Sequence, residues 1–241
     1  MQPIILKIGG SLLSKSDEQL FDFAYFAELK KLLTKLTQAG YKFVISVGGG
    51  YVTRKYQQLI SAHGEHDIMD LHRVGVATTN LNAEIFHGLL DDLAVPEIMR
   101  YADFDNFLND TNASLDFGNH SIQVISSSKP GKSNDWNALE LALKLNTGYV
   151  IDAKNIDGVY TADPKLNPHA QKIPQLNWQQ YLEIIGDPTE HVPGASYPVD
   201  PIAAREAQAK KVKFIIVSGF DMINLEQAIT GGEFLGTVIR D

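Results

Sequence analysis

Residues 4–11, Ile-Ile-Leu-Lys-Ile-Gly-Gly-Ser, constrain this chain more than any other stretch. A short run that is apolar at consecutive positions fits a strand covered on both faces, as in a parallel sheet, because a half-solvated strand would alternate. Lys7 interrupts the run near its end, and Gly9-Gly10 turns the chain at once. Glycines let backbone N–H groups approach a ligand with no Cβ in the way. Such N–H groups beside an ammonium at a strand end make an anion site, with phosphate its natural occupant. A surface lysine next to a plain turn is the simpler alternative, and the rest of the chain decides between them.

The same logic recurs downstream. Residues 23–38 carry Phe26, Leu29, Leu32, Leu33 and Leu36 at helical spacing, with Lys30, Lys31 and Lys35 between them, and Gly40 is a natural stop. A second buried strand over 41–47 ends in Gly48-Gly49-Gly50, and a helix is expected to begin straight after, over 51–62. A long helical pattern covers 67–90, with Val74, Ala77, Leu81, Ile85 and Leu89 as apolar members. Residues 95–115 have mixed polarity, compatible with a short hairpin or loops. A strand at 121–126, a polar loop at 127–135, a helix at 137–145 and a strand at 149–152 form a βαβ unit, hence parallel strands. A turn-rich stretch at 157–164 follows, then helices at 178–185 and 199–210, a strand at 214–217, a helix at 224–230 and a strand at 236–239. There is no internal repeat, low-complexity tract or flexible linker. The expectation is one α/β domain over 1–241, a three-layer sandwich around a mainly parallel central sheet.

Composition sets outer bounds. The 241 residues are 44% hydrophobic, enough for one sizeable core. A net charge of −8, from 21 basic and 29 acidic residues, disfavours nonspecific binding to nucleic acid or anionic membrane. With no cysteine, disulfides, thiolate metal sites and cysteine nucleophiles are excluded. No apolar run reaches membrane-spanning length, and the first residues lack a leader pattern, so a cytoplasmic protein is expected.

Two common nucleotide fingerprints fit poorly. Gly48 and Gly50 begin a Gly-x-Gly-x-x-Gly pattern, but Thr53 stands where its third glycine belongs. Gly131-Lys132-Ser133 imitates the end of a P-loop, but Ser126 replaces the leading glycine.

Four stretches match a known pattern in order and spacing. They are Lys7-Ile8-Gly9-Gly10-Ser11; Val47 through Gly50 with Arg54-Lys55-Tyr56; Pro130-Gly131-Lys132-Ser133-Asn134-Asp135; and Asn155-Ile156-Asp157-Gly158-Val159-Tyr160-Thr161-Ala162-Asp163-Pro164. Together they resemble the amino-acid-kinase superfamily, and within it the archaeal-type uridylate kinases, over nearly the whole length. The resemblance implies ATP-dependent phosphoryl transfer to a small phosphorylated acceptor, with UMP the first candidate. The same fold acting on another acceptor (an alkyl phosphate, a phosphonate or a carboxylate) and a non-catalytic nucleotide-binding or storage protein are the alternatives. It also implies an acceptor side at roughly 1–125, a nucleotide side at roughly 126–241, ATP with magnesium bound mainly through phosphates, no protein metal site, and a homo-oligomer.

By that resemblance Lys7 sits on the transferring phosphoryl, and Asp135 orders the cationic groups. Gly9, Gly10 and Ser11 hold the donor phosphates; Lys154 reaches a phosphate; Asp157, Tyr160 and Asp163 frame the adenosine. Gly48, Gly49, Gly50, Arg54, His72 and Asn134 fall on the acceptor side. Each has a plainer reading as well: Asp135 as a helix N-cap, Arg54 as a surface helix charge, His72 as a solvated helix residue. Asn134 stands where the resemblance has threonine, and His72 where it has an aspartate that contacts the acceptor's ribose. Arg205 falls where other members have a second lysine near the phosphoryl, and is equally a surface charge of its helix.

Overall fold

The computed structural model describes residues 2–111, 114–126, 130–164, 166–189 and 197–241. The chain opens with β1 (Ile4–Ile8), a four-residue helical turn α1 (Gly10–Leu13) and α2 (Phe23–Gln38), followed by β2 (Phe43–Val47), α3 (Gly50–Ser61) and α4 (Ile68–Gly88). Then come α5 (Tyr101–Asn109), β3 (Ile122–Ile125), α6 (Asn134–Lys144) and β4 (Tyr149–Lys154). Short strands β5 (Val159–Tyr160), β6 (Lys172–Ile173) and β7 (Gln175–Leu176) lead to α7 (Trp178–Ile184), α8 (Pro201–Lys210), β8 (Lys213–Ser218), α9 (Met222–Thr230) and β9 (Gly236–Ile239).

Seven strands form one sheet in the order β3-β2-β1-β4-β8-β9-β7. The first five are mutually parallel, and β8 pairs antiparallel with β9, which runs parallel to β7. A separate two-stranded ribbon joins β5 to β6. The expected βαβ unit is present with a wide span: β3 and β4 are parallel but have β2 and β1 between them. Strands β3, β2 and β1 come from residues up to 125 and the other four from residues after 148, with β1 and β4 paired at the centre.

The strands are buried on both faces, as the unbroken apolar runs require. One core packs Ile4, Leu6 and Ile8 of β1 with Phe43 and Ile45 of β2 against Leu29 and Leu33 of α2, Phe86 of α4 and Leu225 of α9. The other packs Ile5, Val44, Val150 and Phe214 against Phe104 of α5, Leu139 of α6, Trp178 of α7 and Ala203 of α8. These two cores and the sheet between them are the three layers of the α/β sandwich. Short polar side chains start the helices. Asp22 accepts from the Tyr25 N–H, Asp67 from Met69 N–H, Ser133 from Trp136 N–H and Asp200 from the Ile202 and Ala203 N–H groups. Each such cap contributes about 1 kcal/mol.

Three local expectations need correction. Residues 101–109 are helical, not a hairpin or loop, with Phe104 and Phe107 turned into the core at i, i+3 spacing. The helix expected at 137–145 begins at Asn134, and its N-cap is Ser133, so Asp135 is free of the capping role. The strand expected to end at 152 runs on to Lys154. Residues 127–129 of the expected polar loop lie outside the described residues.

Candidate active site

Strand alternation sets the site. On β1, Ile4, Leu6 and Ile8 face one core, so Lys7 faces the other way with Ile5. Lys7 is in register with Ser46 of β2 on one side and Asp152 of β4 on the other, and Lys154 lies two residues beyond Asp152 on the same face. Above them, the first turn of α6 delivers Asp135. All four charged groups are close to fully buried.

They form a closed square of alternating charge. Lys7 Nζ lies 2.5 Å from Asp135 Oδ1 and 3.1 Å from Asp152 Oδ1. Lys154 Nζ lies 3.4 Å from Asp152 Oδ2 and 3.8 Å from Asp135 Oδ1. The remaining Asp135 oxygen, Oδ2, accepts from the Asp200 N–H at 2.9 Å, which ties α6 to the start of α8. Lys154 also donates to the Tyr197 carbonyl at 3.4 Å.

Burial and partners pull these groups in opposite directions. Burial lowers the proton affinity of Lys7, but Asp135 and Asp152 outweigh it and hold the ammonium above its ordinary value. Burial would raise Asp135, yet Lys154 and Lys7 together keep it well below the carboxylate range. At Asp152 burial wins over the two lysines, and Asp135 adds repulsion, so its carboxyl is raised to about 6. Burial likewise leads at Lys154, which is lowered.

The two glycine turns interlock beside the square. A Cβ on Gly10 would fall 2.1 Å from Gly50 N, and one on Gly50 would fall 2.2 Å from Gly10 O. Gly50 also has φ of +66°, the left-handed region that glycine occupies without strain. The Gly48 N–H donates to the Ile8 carbonyl, and the Gly9 N–H to that of Ala153. Asn82 of α4 fixes the second turn, donating to the carbonyls of Gly48 and Gly49 at 2.9 and 3.0 Å. Ser14 accepts from the Tyr51 N–H and, through Oγ, from the Val52 N–H. Each turn opens a helix, α1 and α3, so its free N–H groups lie at a helix start.

These parts line a cavity of about 500 Å³. Lys7, Gly9, Gly10, Ser11, Gly48, Asn134, Asp135, Lys154, Tyr160 and Asp163 border it, so ten of the residues singled out in the sequence meet in one cleft. Asn134 donates to the Val47 carbonyl at 2.5 Å and accepts from Asn137, pinning the start of α6 to the end of β2. Arg54, half-buried on α3, donates to Ser11 Oγ at 3.4 Å and so spans from one turn to the other.

Others stand apart. His72 is half-buried on α4, outside the cavity lining. Asp157 lies behind Tyr160, accepting from its hydroxyl at 2.8 Å and pairing with Lys172 at 2.9 Å. Arg205 pairs with Asp187 at 2.5 Å and donates to the Pro201 carbonyl, away from the square. Lys132, which imitated a P-loop lysine, lies over the Trp136 ring at 4.6 Å. Sequence reasoning missed Asp152, Asp200 and Asn82 as members of the site. For Asp152 there was a signal: an Asp-x-Lys alternation inside an otherwise apolar strand.

The model of the amino acid kinase family matches residues 2–218. The chain belongs to that family. A uridylate kinase of Archaeoglobus fulgidus is 30% identical to it over 98% of this chain and 99% of its own length. One from Haloquadratum walsbyi is 29% identical over 98% and 92%. Among solved structures, that of uridylate kinase from Archaeoglobus fulgidus superposes with a TM-score of 0.75 at 26% identity, covering 99% of this chain and all of that one. The geometry of this cleft suits bringing two anions together. Two N–H-lined turns touch back to back, and ammonium groups stand at their junction.

Proposed function

We propose that this amino acid kinase transfers the γ-phosphoryl group of ATP to UMP, giving ADP and UDP. The observation that carries the reading is Lys7 buried at the junction of the two interlocked glycine turns, in a chain similar over nearly its whole length to proteins named uridylate kinase. The donor triphosphate lies at the amides of Gly10 and Ser11 beside Gly9, whose own N–H is held by the Ala153 carbonyl, with Tyr160 and Asp163 toward the adenosine and Asp157 supporting Tyr160. The acceptor phosphate lies at the amides of Gly49 and Gly50 beside Gly48, whose own N–H is held by the Ile8 carbonyl, with Arg54 and Asn134 on that side; His72, expected there, lies on α4 outside the cavity lining. The acceptor side is read as roughly residues 1–125 and the nucleotide side as roughly 126–241 of one domain, with the donor phosphates at Gly10 and Ser11 and the acceptor-side Asn134 crossing that division.

The reaction is a direct in-line displacement. An acceptor phosphate oxygen forms a bond to the γ-phosphorus as the bond to the β,γ-bridging oxygen breaks and ADP leaves. A phosphate oxygen is already ionised near neutral pH, so no general base is needed. Asp135 is unsuited to act as one, because its oxygens are taken by Lys7 and the Asp200 N–H and it is held deprotonated. Its role is to fix the ammonium groups. Lys7 neutralises charge on the transferring group.

Magnesium would be held mainly through the phosphates of ATP, where it would neutralise charge. The buried cleft carboxylates, Asp135 and Asp152, are engaged by ammonium groups, and among the described residues no cluster of three His, Asp or Glu side chains could hold an ion. The enzyme is read as cytoplasmic, where ATP and nucleoside monophosphates are at hand. Among the described residues no helix is long and apolar enough to cross a membrane. It is read as a homo-oligomer, since Tyr56 and Leu59 of α3 and Ile68 and Leu81 of α4 leave apolar side chains exposed on packed neighbouring helices.

The test is ATP consumption against UMP, CMP and isopentenyl phosphate. UMP turnover that disappears in Lys7→Ala supports the reading. Activity on a non-nucleotide acceptor alone, or ATP binding with no turnover on any acceptor, overturns it.

A further inference from the structure

A carboxylate with no solvent exposure in the middle of a seven-stranded sheet calls for a reason, and Asp152 is one. Its strand, β4, is flanked by β1 and β8, and its neighbours along the strand are Ile151 and Ala153. An ionised group there is disfavoured by desolvation, so stability alone does not account for it. Its contacts suggest what does. Asp152 Oδ1 lies 3.1 Å from Lys7 Nζ, and Oδ2 lies 3.3 Å from Lys7 Nζ and 3.4 Å from Lys154 Nζ. Both ammonium groups are therefore held from below by one side chain anchored in the sheet. Asp135 holds the same pair from above, but from a helix that packs on the sheet. Arg205 takes no part, being bound to Asp187 and the Pro201 carbonyl.

We propose that Asp152 is a positioning residue that fixes Lys7 and Lys154 as a pair of cations at the transferring phosphoryl group, and that Lys154, not Arg205, is the second cation of the pair. The proposal rests on the phosphoryl-transfer reading above. It has a consequence that a merely structural carboxylate would not share. The square is neutral, with two positive and two negative groups. Removing the charge of Asp152 leaves the cleft floor one unit positive while freeing the lysines from their rigid anchor. Polyphosphate should then bind more tightly, and the chemical step should slow, because a cation displaced from the transition-state charge stabilises it less.

The experiment uses the full-length chain and four proteins: the parent, Asp152→Asn, Lys154→Met and Arg205→Ala. Circular dichroism establishes folding, calorimetry gives the Kd of inorganic tripolyphosphate, and steady-state kinetics gives kcat and the KM for ATP. For Asp152→Asn the expected result is a tripolyphosphate Kd lowered by about threefold or more, with kcat reduced by about tenfold to a hundredfold. Lys154→Met should lose kcat by about a hundredfold, and Arg205→Ala should stay within about twofold of the parent. In a Lys154→Met background, Asp152→Asn should cost less than it does alone, because half of what it positions is gone. A folded Asp152→Asn whose tripolyphosphate affinity is unchanged or weaker overturns the positioning role, and this arm needs no acceptor. If the parent turns over no acceptor, the kinase reading has failed while the affinity arm still decides on Asp152. Should Asp152→Asn not fold, the other two variants decide: loss of kcat in Arg205→Ala with retention in Lys154→Met overturns the assignment of the second cation.

Discussion

The two faces of the central strands differ in a way that singles out the proposed site. Toward α2, α4 and α9, β1 presents Ile4, Leu6 and Ile8, β4 presents Ile151 and Ala153, and β8 presents Ile215 and Val217. Apart from Lys213 at the start of β8, whose ammonium lies over the Tyr149 ring, that face is apolar. Toward α5, α6, α7 and α8 the same strands begin apolar, with Ile5, Val44, Val150 and Phe214, then turn polar at their carboxyl ends with Lys7, Ser46, Asp152 and Lys154. The first face is free to optimise packing. The second gives up packing at one end to hold charges out of water. The helix starts of α1, α3 and α6 gather at that same end, where their N–H groups favour anions.

The largest effect expected from breaking this division is at Lys7. Lys7→Ala should lower kcat by about 10²–10³-fold in protein that circular dichroism shows to be folded, since one preorganised cation at the developing charge is removed. Its neighbour on the apolar face should behave in the opposite manner. Leu6 is fully buried, so Leu6→Ala should cost about 2–5 kcal/mol in urea unfolding while leaving kcat of the folded fraction within a few-fold. If Leu6→Ala abolished kcat with stability intact, the two faces would not be separable as argued.

How far the sequence displayed this division depends on whether the signal was local. The apolar runs of β1 and β2, the glycines that end them and the amphipathic period of α2 and α4 are local, and each was legible. So was Lys7, a lone charge inside an apolar run. The helix α5 was not, because nine residues give only two or three apolar recurrences, and its Phe104 and Phe107 fit a strand or a loop equally well. The two-residue strands β6 and β7 carry no period at all. In the site, Asp152 is hard to read because the apolar run of its strand ends at it. Continued to Lys154, the alternation puts both charges on one face. The bond from the Asp200 N–H to Asp135 joins residues 65 apart in the chain, and only the packing of α6 against α8 creates it. Arg205 shows the reverse failure. Its place in the chain suggested a phosphoryl cation, but Asp187 takes its guanidinium away from the cleft.

The polar end of the second face should also be visible in how stability varies with pH. Asp152 has its carboxyl raised from an ordinary value near 3.8 to about 6. The folded chain therefore holds this proton more tightly than the unfolded chain does. Its contribution is fully present below about pH 3.8, declines as pH rises toward 6, and is flat above that. Asp135 is shifted downward, so its own contribution is present above the ordinary carboxylate value and is lost as the pH falls below it. Comparing the parent with Asp152→Asn isolates the first effect. Relative to the variant, the parent should lose up to about 3 kcal/mol between pH 4 and 6 in urea melts. A difference that stays level across that range, or grows with pH, would show that the two lysines outweigh burial at Asp152.

The smallest effect belongs to the charged group at the rim, where solvent weakens what the square experiences in full. Asp157 is half-exposed, pairs with Lys172 at 2.9 Å and accepts from the Tyr160 hydroxyl at 2.8 Å. Those partners and a partial burial that works against them leave its carboxyl below the ordinary value, but water screens the pair. Exposed pairs of this kind contribute about 0–1 kcal/mol, so Asp157→Asn should scarcely move the urea midpoint. What it loosens is Tyr160, whose ring borders the cleft. The expected result is a KM for ATP raised by about two- to fivefold with kcat unchanged, the pattern of lost uniform binding. A fall in kcat at constant KM would instead bring Asp157 into the chemical step and extend the polar region of the sheet beyond Lys154, blurring the boundary between the charged floor of the cleft and its rim.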